Sequence, residues 1–251
     1  MPLVDVMVGT ACELKCVACT NGVGLLPQVH FPLEQITTDV EAAASVLHAD
    51  VAVVLGGEPL THRALLPIMR MVTASGIADR VRVLTNGIRL HRMPDEFWGE
   101  LEDLRVSIYP GKTPRENVTL ARERAYRHGF DLSFYDVASD PFRAVHTRDL
   151  RSDESAQATW HECWYRSNTR KIEAGYFWRC CTSAHLSQAV LGLAPDVDGL
   201  SLSGITEESL MEFLARDTFM QSCRRCHGNM GPQIVWSEER NRDAWLEASV
   251  R

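Results

Sequence analysis

The sequence contains no hydrophobic run that approaches the roughly 20 apolar residues needed to cross a membrane. Its first five residues also lack the basic start and apolar stretch of a signal peptide. Positive charge is not in excess, because 26 basic residues face 33 acidic ones and the net charge is −7. No basic surface for nucleic acid is therefore expected. We predict a cytoplasmic protein that binds neither membranes nor nucleic acid.

Cysteine is absent between residues 20 and 162, and this gap separates two groups of thiols. The first group contains Cys12, Cys16 and Cys19, and the second contains Cys163, Cys180, Cys181, Cys223 and Cys226. In a cytoplasmic chain, eight cysteines indicate metal binding more than disulfide formation.

The hydrophobic pattern alternates between strand-like and helix-like segments, which predicts an α/β fold with parallel strands and helical crossovers. The predicted strands are 4–8, 50–55, 81–85, 104–109 and 130–137, and the predicted helices are 33–47, 60–74, 94–101 and 114–127. These units are too few for a closed eight-stranded barrel, so we expect a partial, open β/α barrel in residues 1–150. Polar, aperiodic residues 139–155 are interpreted as a linker to a second unit, residues 151–251, which contains a hairpin at 169–180 and a helix at 207–215.

The first three cysteines follow the pattern C-x3-C-x2-C within eight residues. A mononuclear structural zinc site usually takes four ligands. Three thiolates from one short loop suit a [4Fe-4S] cluster in which one iron keeps an open position. A zinc or disulfide staple is the alternative.

This triplet, followed about 40 residues later by Gly56-Gly57-Glu58-Pro59, resembles the signature of the radical SAM superfamily. The resemblance implies that the GGEP turn holds the methionine end of S-adenosylmethionine (SAM). It also suggests Thr85, Asn86 and Ser107 as ribose or carboxylate contacts, with capping of strand ends as their alternative role. The family often has an aromatic residue where this chain has Ala18. In parallel α/β folds, residues that follow the carboxyl ends of strands converge on one site, so we expect the cysteine loop, the GGEP turn, Thr85, Asn86 and Ser107 to lie together.

The later cysteines resemble the short auxiliary-cluster module called twitch, because Gly175 to Cys180 fits its G-x4-C spacing and a C-x2-C pair follows. The resemblance implies a second [4Fe-4S] cluster held by Cys163, Cys180, Cys223 and Cys226. Cys181 is the less favoured ligand, because it points to the side opposite Cys180 if the strand continues through both residues. A structural zinc ribbon remains the alternative. The longer SPASM module needs more cysteines than this chain offers.

The resemblance implies chemistry in which a 5′-deoxyadenosyl radical takes a hydrogen atom from a small-molecule substrate. A fully ligated second cluster can then accept an electron, which makes the reaction a two-electron oxidation of an alcohol to a ketone. The cysteine layout is most similar to that of radical SAM dehydrogenases acting on aminocyclitols. This resemblance implies a flavodoxin or ferredoxin-type protein as the electron donor. The alternatives are a peptide maturase, a sugar dehydratase or epimerase, and a zinc-stapled binding protein without catalysis.

Alcohol oxidation also needs a group that accepts the hydroxyl proton. Arg143 is the candidate, because the linker that contains it is expected to cross the mouth of the barrel. An arginine normally stays protonated, so it would act by hydrogen bonding unless it were strongly desolvated. His146, His161, His185 and His227 are the alternatives.

Overall fold

One large sheet organises the chain in this computed structural model, which describes residues 1–140 and 142–248. Its eight strands run in the order β5-β4-β3-β2-β1-β7-β8-β9. The strands are β1 Leu3–Met7, β2 Ala49–Leu55, β3 Ala78–Thr85, β4 Asp103–Ile108, β5 Asp131–Asp136, β7 Thr169–Glu173, β8 Tyr176–Trp178 and β9 Gly199–Ser201. The first six in spatial order pair in parallel, whereas β8 and β9 are antiparallel additions. The predicted parallel α/β sheet is confirmed.

Helices connect the strands and line the sheet. They are α1 Leu33–Ala44, α2 Leu65–Ser75, α3 Asp95–Gly99, α4 Arg115–His128, α5 Asp153–Glu162, α6 Trp164–Asn168, α7 Ser183–His185, α8 Glu207–Ala215 and α9 Arg242–Ala248. Gly76 and Gly129 follow α2 and α4 with φ values of 65° and 80°, the left-handed conformation that ends helices. Helix α2 begins at Leu65 and not at residue 60, where the sequence predicted its start, because Pro59–Thr61 forms a short 3-10 turn. In the described chain no helix is both long and apolar enough to cross a membrane.

The core lies between the parallel strands and their helices. Val54, Val83 and Leu104 are fully buried on β2, β3 and β4, which explains the continuous apolar runs in the sequence. Val40 of α1 and Ile68 of α2 are also fully buried and belong to the same apolar cluster. Burying each such side chain contributes about 1.5–3 kcal/mol. This core fixes the strand ends at which the polar side chains converge.

The predicted hairpin is confirmed and joins the main sheet. Ala174 and Gly175 connect β7 to β8 with positive φ values of 50° and 85°, as a tight hairpin turn requires. Strand β7 pairs in parallel with β1, so that Asp5 lies opposite Lys171. The predicted division into residues 1–150 and 151–251 stays a prediction, but the sheet itself runs across it.

Part of the predicted linker is packed structure. Residues 144–147 are buried, and the backbone N–H of Ala144 donates to Pro232 O at 2.8 Å. The N–H of Thr147 likewise donates to Arg225 O at 3.0 Å. Phe142–Arg143 forms a short strand, β6, which pairs with β10, Gln233–Ile234. Pro141 lies outside the described residues, and α5 begins inside the predicted linker after its cap, Ser152. A free, solvated linker was therefore the wrong interpretation of residues 144–147.

Candidate functional site

The strand ends and the loops that follow them enclose a cavity of about 570 Å³. Ten residues predicted from the sequence line it: Cys12, Cys16, Cys19, Gly56, Gly57, Glu58, Thr85, Asn86, Ser107 and Arg143. Pro59 is not among the described lining residues, and it begins the 3-10 turn behind them. The convergence expected for parallel strands is present, and it brings the cysteine loop and the GGEP turn to one chamber.

The two glycines of the GGEP turn allow it to pack against the chain that enters the cysteine loop. Gly57 N–H donates to Gly9 O at 2.9 Å, and Glu58 N–H donates to Ala11 O at 2.8 Å. A Cβ on Gly57 would lie 2.3 Å from Ala11 O, and one on Gly56 would lie 2.6 Å from Gly9 O. Both distances are shorter than any allowed contact, so side chains at these two positions would displace the backbone that carries Cys12.

Glu58 joins the ends of β2 and β3. Its carboxylate is 2% exposed and accepts hydrogen bonds from Thr85 Oγ1 at 2.6 Å, Asn86 N at 2.7 Å and Leu60 N at 3.0 Å. Burial raises the pKa of Glu58 to about 7, against the effect of these donors. The hydroxyl of Thr85 also accepts from Gly87 N at 3.0 Å. Thr85 therefore serves as a cap here, the alternative left open by its position at a strand end.

Two buried polar atoms at the cavity lack partners. The Nδ2 donor of Asn86 and the Oδ1 acceptor of Asn21 make no hydrogen bond with the described residues. Both side chains line the cavity. Buried polar groups are normally paired, so these two suit a ligand that carries both acceptors and donors, as the amino-acid end and ribose of SAM do. Asn21 has no marker in the sequence other than its place two residues after Cys19.

Two of the three cysteines in the first group, Cys12 and Cys16, lie in surroundings that suit a metal centre. Burial raises the pKa of Cys12 well above its ordinary value and that of Cys16 to about 12. Bare thiolates are therefore costly here, and a cationic metal centre would offset that cost. The indole N–H of Trp236 donates to Cys16 Sγ at 3.1 Å. Hydrogen bonds of this kind are common around iron–sulfur ligands.

The described side chains do not form a site for a single metal ion. In residues 1–140 and 142–248 no three His, Cys, Asp or Glu side chains gather closely enough to hold one metal ion. A cubane cluster differs from a single ion because each thiolate binds a different iron. Its ligands therefore need not meet at one point.

The end of the chain packs on the cysteine loop, which the sequence did not predict. This C-terminal strap, residues 236–245, runs antiparallel to residues 15–17. Val17 N–H donates to Ser237 O at 2.9 Å, and Glu239 N–H donates to Lys15 O at 3.0 Å. Further along, the indole N–H of the fully buried Trp245 donates to Cys16 O at 2.9 Å.

The second group of cysteines lines a separate, small cavity. Cys163, Cys180, Cys223 and Cys226 all face it, together with Arg166 and Gly228. Gly228 N–H donates to Cys226 Sγ at 3.1 Å, and a Cβ on Gly228 would lie 3.1 Å from Cys163 Sγ. Four thiols on one cavity form a donor set that matches a fully ligated iron–sulfur cluster.

Three arginines lie on or near this second cavity: Arg166 lines it, and negative charge on Cys180 acts on Arg170 and Arg179. Arg170 and Arg179 donate to backbone carbonyl oxygens, but their Nε atoms have no partner in the described chain. Burial, then the neighbouring Arg170 and Arg166, lower the pKa of Arg179 to about 10, whereas negative charge on Cys180 opposes the shift. An anionic thiolate cluster would supply the charge that these buried guanidinium groups lack.

Cys181 lies apart from the four. It does not line the small cavity in the described structure. Burial raises its pKa well above the ordinary value, and negative charge on Cys180 and then Asp5 adds to this effect, whereas Lys171 opposes it. Asp5 and Lys171 lie at the pairing of β1 with β7. Strand β8 ends at Trp178, so the alternation of strand side chains does not reach Cys180, and the preference for Cys180 over Cys181 stays a prediction.

The large cavity also has a wall that the sequence analysis missed. Its remaining polar and aromatic lining residues include Arg105, Tyr109, Tyr135, Asp140, Trp164, Tyr165 and Asn229. Arg105 and Ser107 are two residues apart on β4, which places both on one face of the strand. That alternation is the only sequence signal for Arg105. Tyr135 lies on β5, whereas the others lie in loops or on the short helix α6, whose positions depend on tertiary contacts.

Of the predicted proton acceptors, Arg143 lines the large cavity and the four histidines do not. Arg143 reaches the cavity, but its residue is exposed and its Nη1 donates to Gly231 O at 3.1 Å. That environment does not desolvate the guanidinium, so hydrogen bonding is the role its position supports. None of His146, His161, His185 and His227 is among the described lining residues. Asp140 supplies the carboxylate there that sequence reasoning overlooked.

No protein-family model and no curated protein matches the sequence. Among solved structures, the chain is similar to BtrN in complex with AdoMet (SAM) and 2-DOIA, with a TM-score of 0.61, 13% identity, and coverage of 94% of this chain and 97% of BtrN. It is also similar to anSMEcpe with bound AdoMet, with a TM-score of 0.54, 11% identity, and coverage of 99% and 95%. Over nearly its whole length, this chain has the fold of these two AdoMet-bound proteins.

Proposed function

We propose that this chain is a radical SAM dehydrogenase that oxidises a secondary alcohol of an aminocyclitol or sugar-like natural-product intermediate to a ketone. The observation that carries the proposal is the wall shared by the two cavities. Cys163 lines the small cavity, and the next two residues, Trp164 and Tyr165, line the large one. A group oxidised in the large cavity would therefore lie beside the element that begins at an auxiliary ligand.

The residues have distinct roles in this proposal. Cys12, Cys16 and Cys19 hold a [4Fe-4S] cluster, and the GGEP turn with Asn21, Asn86 and Ser107 binds SAM beside it. When bound and reduced, this pair supplies a 5′-deoxyadenosyl radical that removes a hydrogen atom from the substrate carbon. Thr85 and Glu58 brace the backbone of the SAM site. Cys163, Cys180, Cys223 and Cys226 hold the second [4Fe-4S] cluster as electron acceptor.

The lining of the large cavity suits a small polar substrate. Arg105 and Arg143 offer donors to hydroxyl oxygens, and Asp140 offers an acceptor for a hydroxyl proton or an amino group. Tyr135 donates its hydroxyl to Asp140 O at 2.6 Å and so holds this loop against β5. The cysteine layout is most like that of 2-deoxy-scyllo-inosamine dehydrogenase, and the fold of BtrN with 2-DOIA supports the same substrate class.

Anaerobic turnover with a reduced flavodoxin or ferredoxin-type donor tests the proposal. The cytoplasmic enzyme, reconstituted with iron and sulfide, should consume SAM and form 5′-deoxyadenosine together with a ketone. Two clusters correspond to about eight irons per chain. A value of about four would overturn the electron-acceptor role. A dehydrated or epimerised product would replace oxidation with a redox-neutral reaction at the same site.

A peptide maturase is the second candidate. The chain is similar to native anSMEcpe with bound AdoMet and Cp18Cys peptide, with a TM-score of 0.52 and 11% identity. Parallel assays with an aminocyclitol and with short peptides separate the two, because only the true substrate class increases 5′-deoxyadenosine formation above the background. Zinc in place of iron at the late cysteines would instead indicate a structural staple.

A further inference from the structure

We propose that Trp236 positions Cys16 and raises the reduction potential of the cluster at the first three cysteines. The inference rests on the proposed function, because it concerns a cluster held by those cysteines. It starts from one contact: the Nε1–H of Trp236 donates to Cys16 Sγ at 3.1 Å, between residues 220 positions apart in the chain. A hydrogen bond to a ligand sulfur stabilises the more negative, reduced state and so raises the potential.

The contact is held in place by the C-terminal strap. The backbone hydrogen bonds of Ser237 and Glu239 to residues 17 and 15 fix the register of the strap on the cysteine loop. Glu238 adds a side-chain acceptor for Lys15 N at 3.0 Å and an ion pair with Lys112 Nζ at 2.5 Å. Trp236 is therefore directed at Cys16 by the bonds on its C-terminal side.

Aromatic packing limits the freedom of the indole. The ring of Trp236 lies 5.5 Å from that of Tyr109, centroid to centroid, and Tyr109 lies 6.1 Å from Phe142 in an edge-on contact. Tyr109 and Phe142 both line the large cavity. Trp236 thus connects a cavity wall to a cysteine sulfur, although it is not itself among the described lining residues.

The C-terminal strap contains a second tryptophan, Trp245, that serves as a control for Trp236. Trp245 also donates its indole N–H to Cys16, but to the backbone carbonyl oxygen at 2.9 Å. Trp236→Phe and Trp245→Phe each delete one indole N–H from the same strap, and only the first removes a donor to sulfur. Trp236→Gln restores an N–H group without the ring.

The experiment is a potentiometric titration of the reconstituted full chain, followed by electron paramagnetic resonance. The cluster at the first cysteines is identified as the one whose reduced signal changes when SAM is added. We expect its midpoint potential to become more negative in Trp236→Phe, to stay at the wild-type value in Trp245→Phe and to recover in part in Trp236→Gln. Loss of the SAM-responsive iron in Trp236→Phe alone would also support the positioning role.

Two results would overturn the inference. One is an unchanged midpoint potential in Trp236→Phe with its iron retained. The other is equal loss of iron in both phenylalanine variants, which would show that the strap is needed only for folding. If no signal in the wild-type chain responds to SAM, the proposed function itself fails, so the two failures are distinguishable.

Discussion

The hydroxyl of Thr85 donates a hydrogen bond of 2.6 Å to Oε1 of Glu58, and both side chains are 2% exposed. This contact joins the turn after β2 to the end of β3. The same hydroxyl accepts from Gly87 N. Oγ1 of Thr85 thus donates a hydrogen bond to a buried carboxylate and accepts one from the backbone N–H of a buried turn.

Thr85→Val should destabilise the fold by about 2 kcal/mol, because it removes a buried hydrogen bond to a carboxylate and leaves Gly87 N unpaired. Urea unfolding measures the change. Thr38→Val is the matched control, since the exposed Thr38 hydroxyl donates within α1 to Glu34 O. That variant should stay within about 0.5 kcal/mol of wild type. Equal effects would mean that the link to Glu58 adds nothing.

Gly57→Ala should abolish iron binding at the first cysteine group, because the added Cβ would lie 2.3 Å from Ala11 O. Gly99→Ala is the control, since a Cβ there meets nothing within 4 Å. Iron analysis after reconstitution should show the loss only in Gly57→Ala. Normal iron content in that variant would refute the role assigned to the close packing of the turn.

Cys180→Ser should reduce the iron content from about eight to about four per chain, whereas Cys181→Ser should leave it unchanged. The reason is placement: Cys180 lines the small cavity, and Cys181 is not among the described lining residues. The reverse pattern would exchange the two assignments.

Asn21→Leu should weaken SAM binding by about tenfold without loss of stability. The Oδ1 atom of Asn21 is buried and unpaired in the described chain, and its Nδ2 donates only a long hydrogen bond of 3.5 Å to Gly56 O. Removing the amide therefore costs the fold little, while a bound ligand would lose one hydrogen bond. Equilibrium binding to the reconstituted protein and thermal unfolding measure the two effects. Unchanged affinity would remove Asn21 from the SAM site.

A histidine pair should make the fold sensitive to acid. The Nε2 atoms of His146 and His185 are 3.0 Å apart, and burial lowers the pKa of His146 to about 3 and that of His185 well below its ordinary value. The unfolded chain takes up these protons below about pH 6.5, and the folded chain does not. Stability is therefore present above that pH and falls as the pH drops toward 3, by at most about 1.4 kcal/mol per unit for each histidine.

Urea unfolding at pH 7 and pH 5 measures this effect. His185→Gln should lose less stability between the two values than wild type, because one buried titrating group is gone. His128→Gln, at an exposed position on α4, should behave like wild type. A wild-type pH response in His185→Gln would assign the acid sensitivity to other groups.

The sequence was most informative where burial controls the pattern. Apolar runs such as 51–55 identified the parallel strands, since a strand covered on both faces leaves no room for polar residues. Cysteine spacing predicted that Cys12, Cys16 and Cys19 act together, because they lie within eight residues, whereas the second set is spread from Cys163 to Cys226 and both sets stay predictions. Helix α5 was missed although Ser152, followed by Asp153 and Glu154, is a helix-start signal.

Long-range contacts were not predictable from local pattern. The strap binds through backbone groups of Ser237 and Glu239, and backbone bonds leave no trace in side-chain identity. Residues 144–147 looked solvated because His146 and Thr147 are polar, yet both are buried in the fold. In each case the partner segment lies far along the chain, where periodicity carries no information.

The adjacency of β1 and β7 has a mechanical consequence. β1 leads directly into the first cysteine loop, and β7 leads through β8 to Cys180. Because the two strands are hydrogen-bonded neighbours, a displacement of β1 and the cysteine loop that follows it would carry β7 along. In the proposed oxidation, the distance between the cluster at that loop and the cluster at Cys180 would therefore be set by main-chain geometry rather than by domain movement.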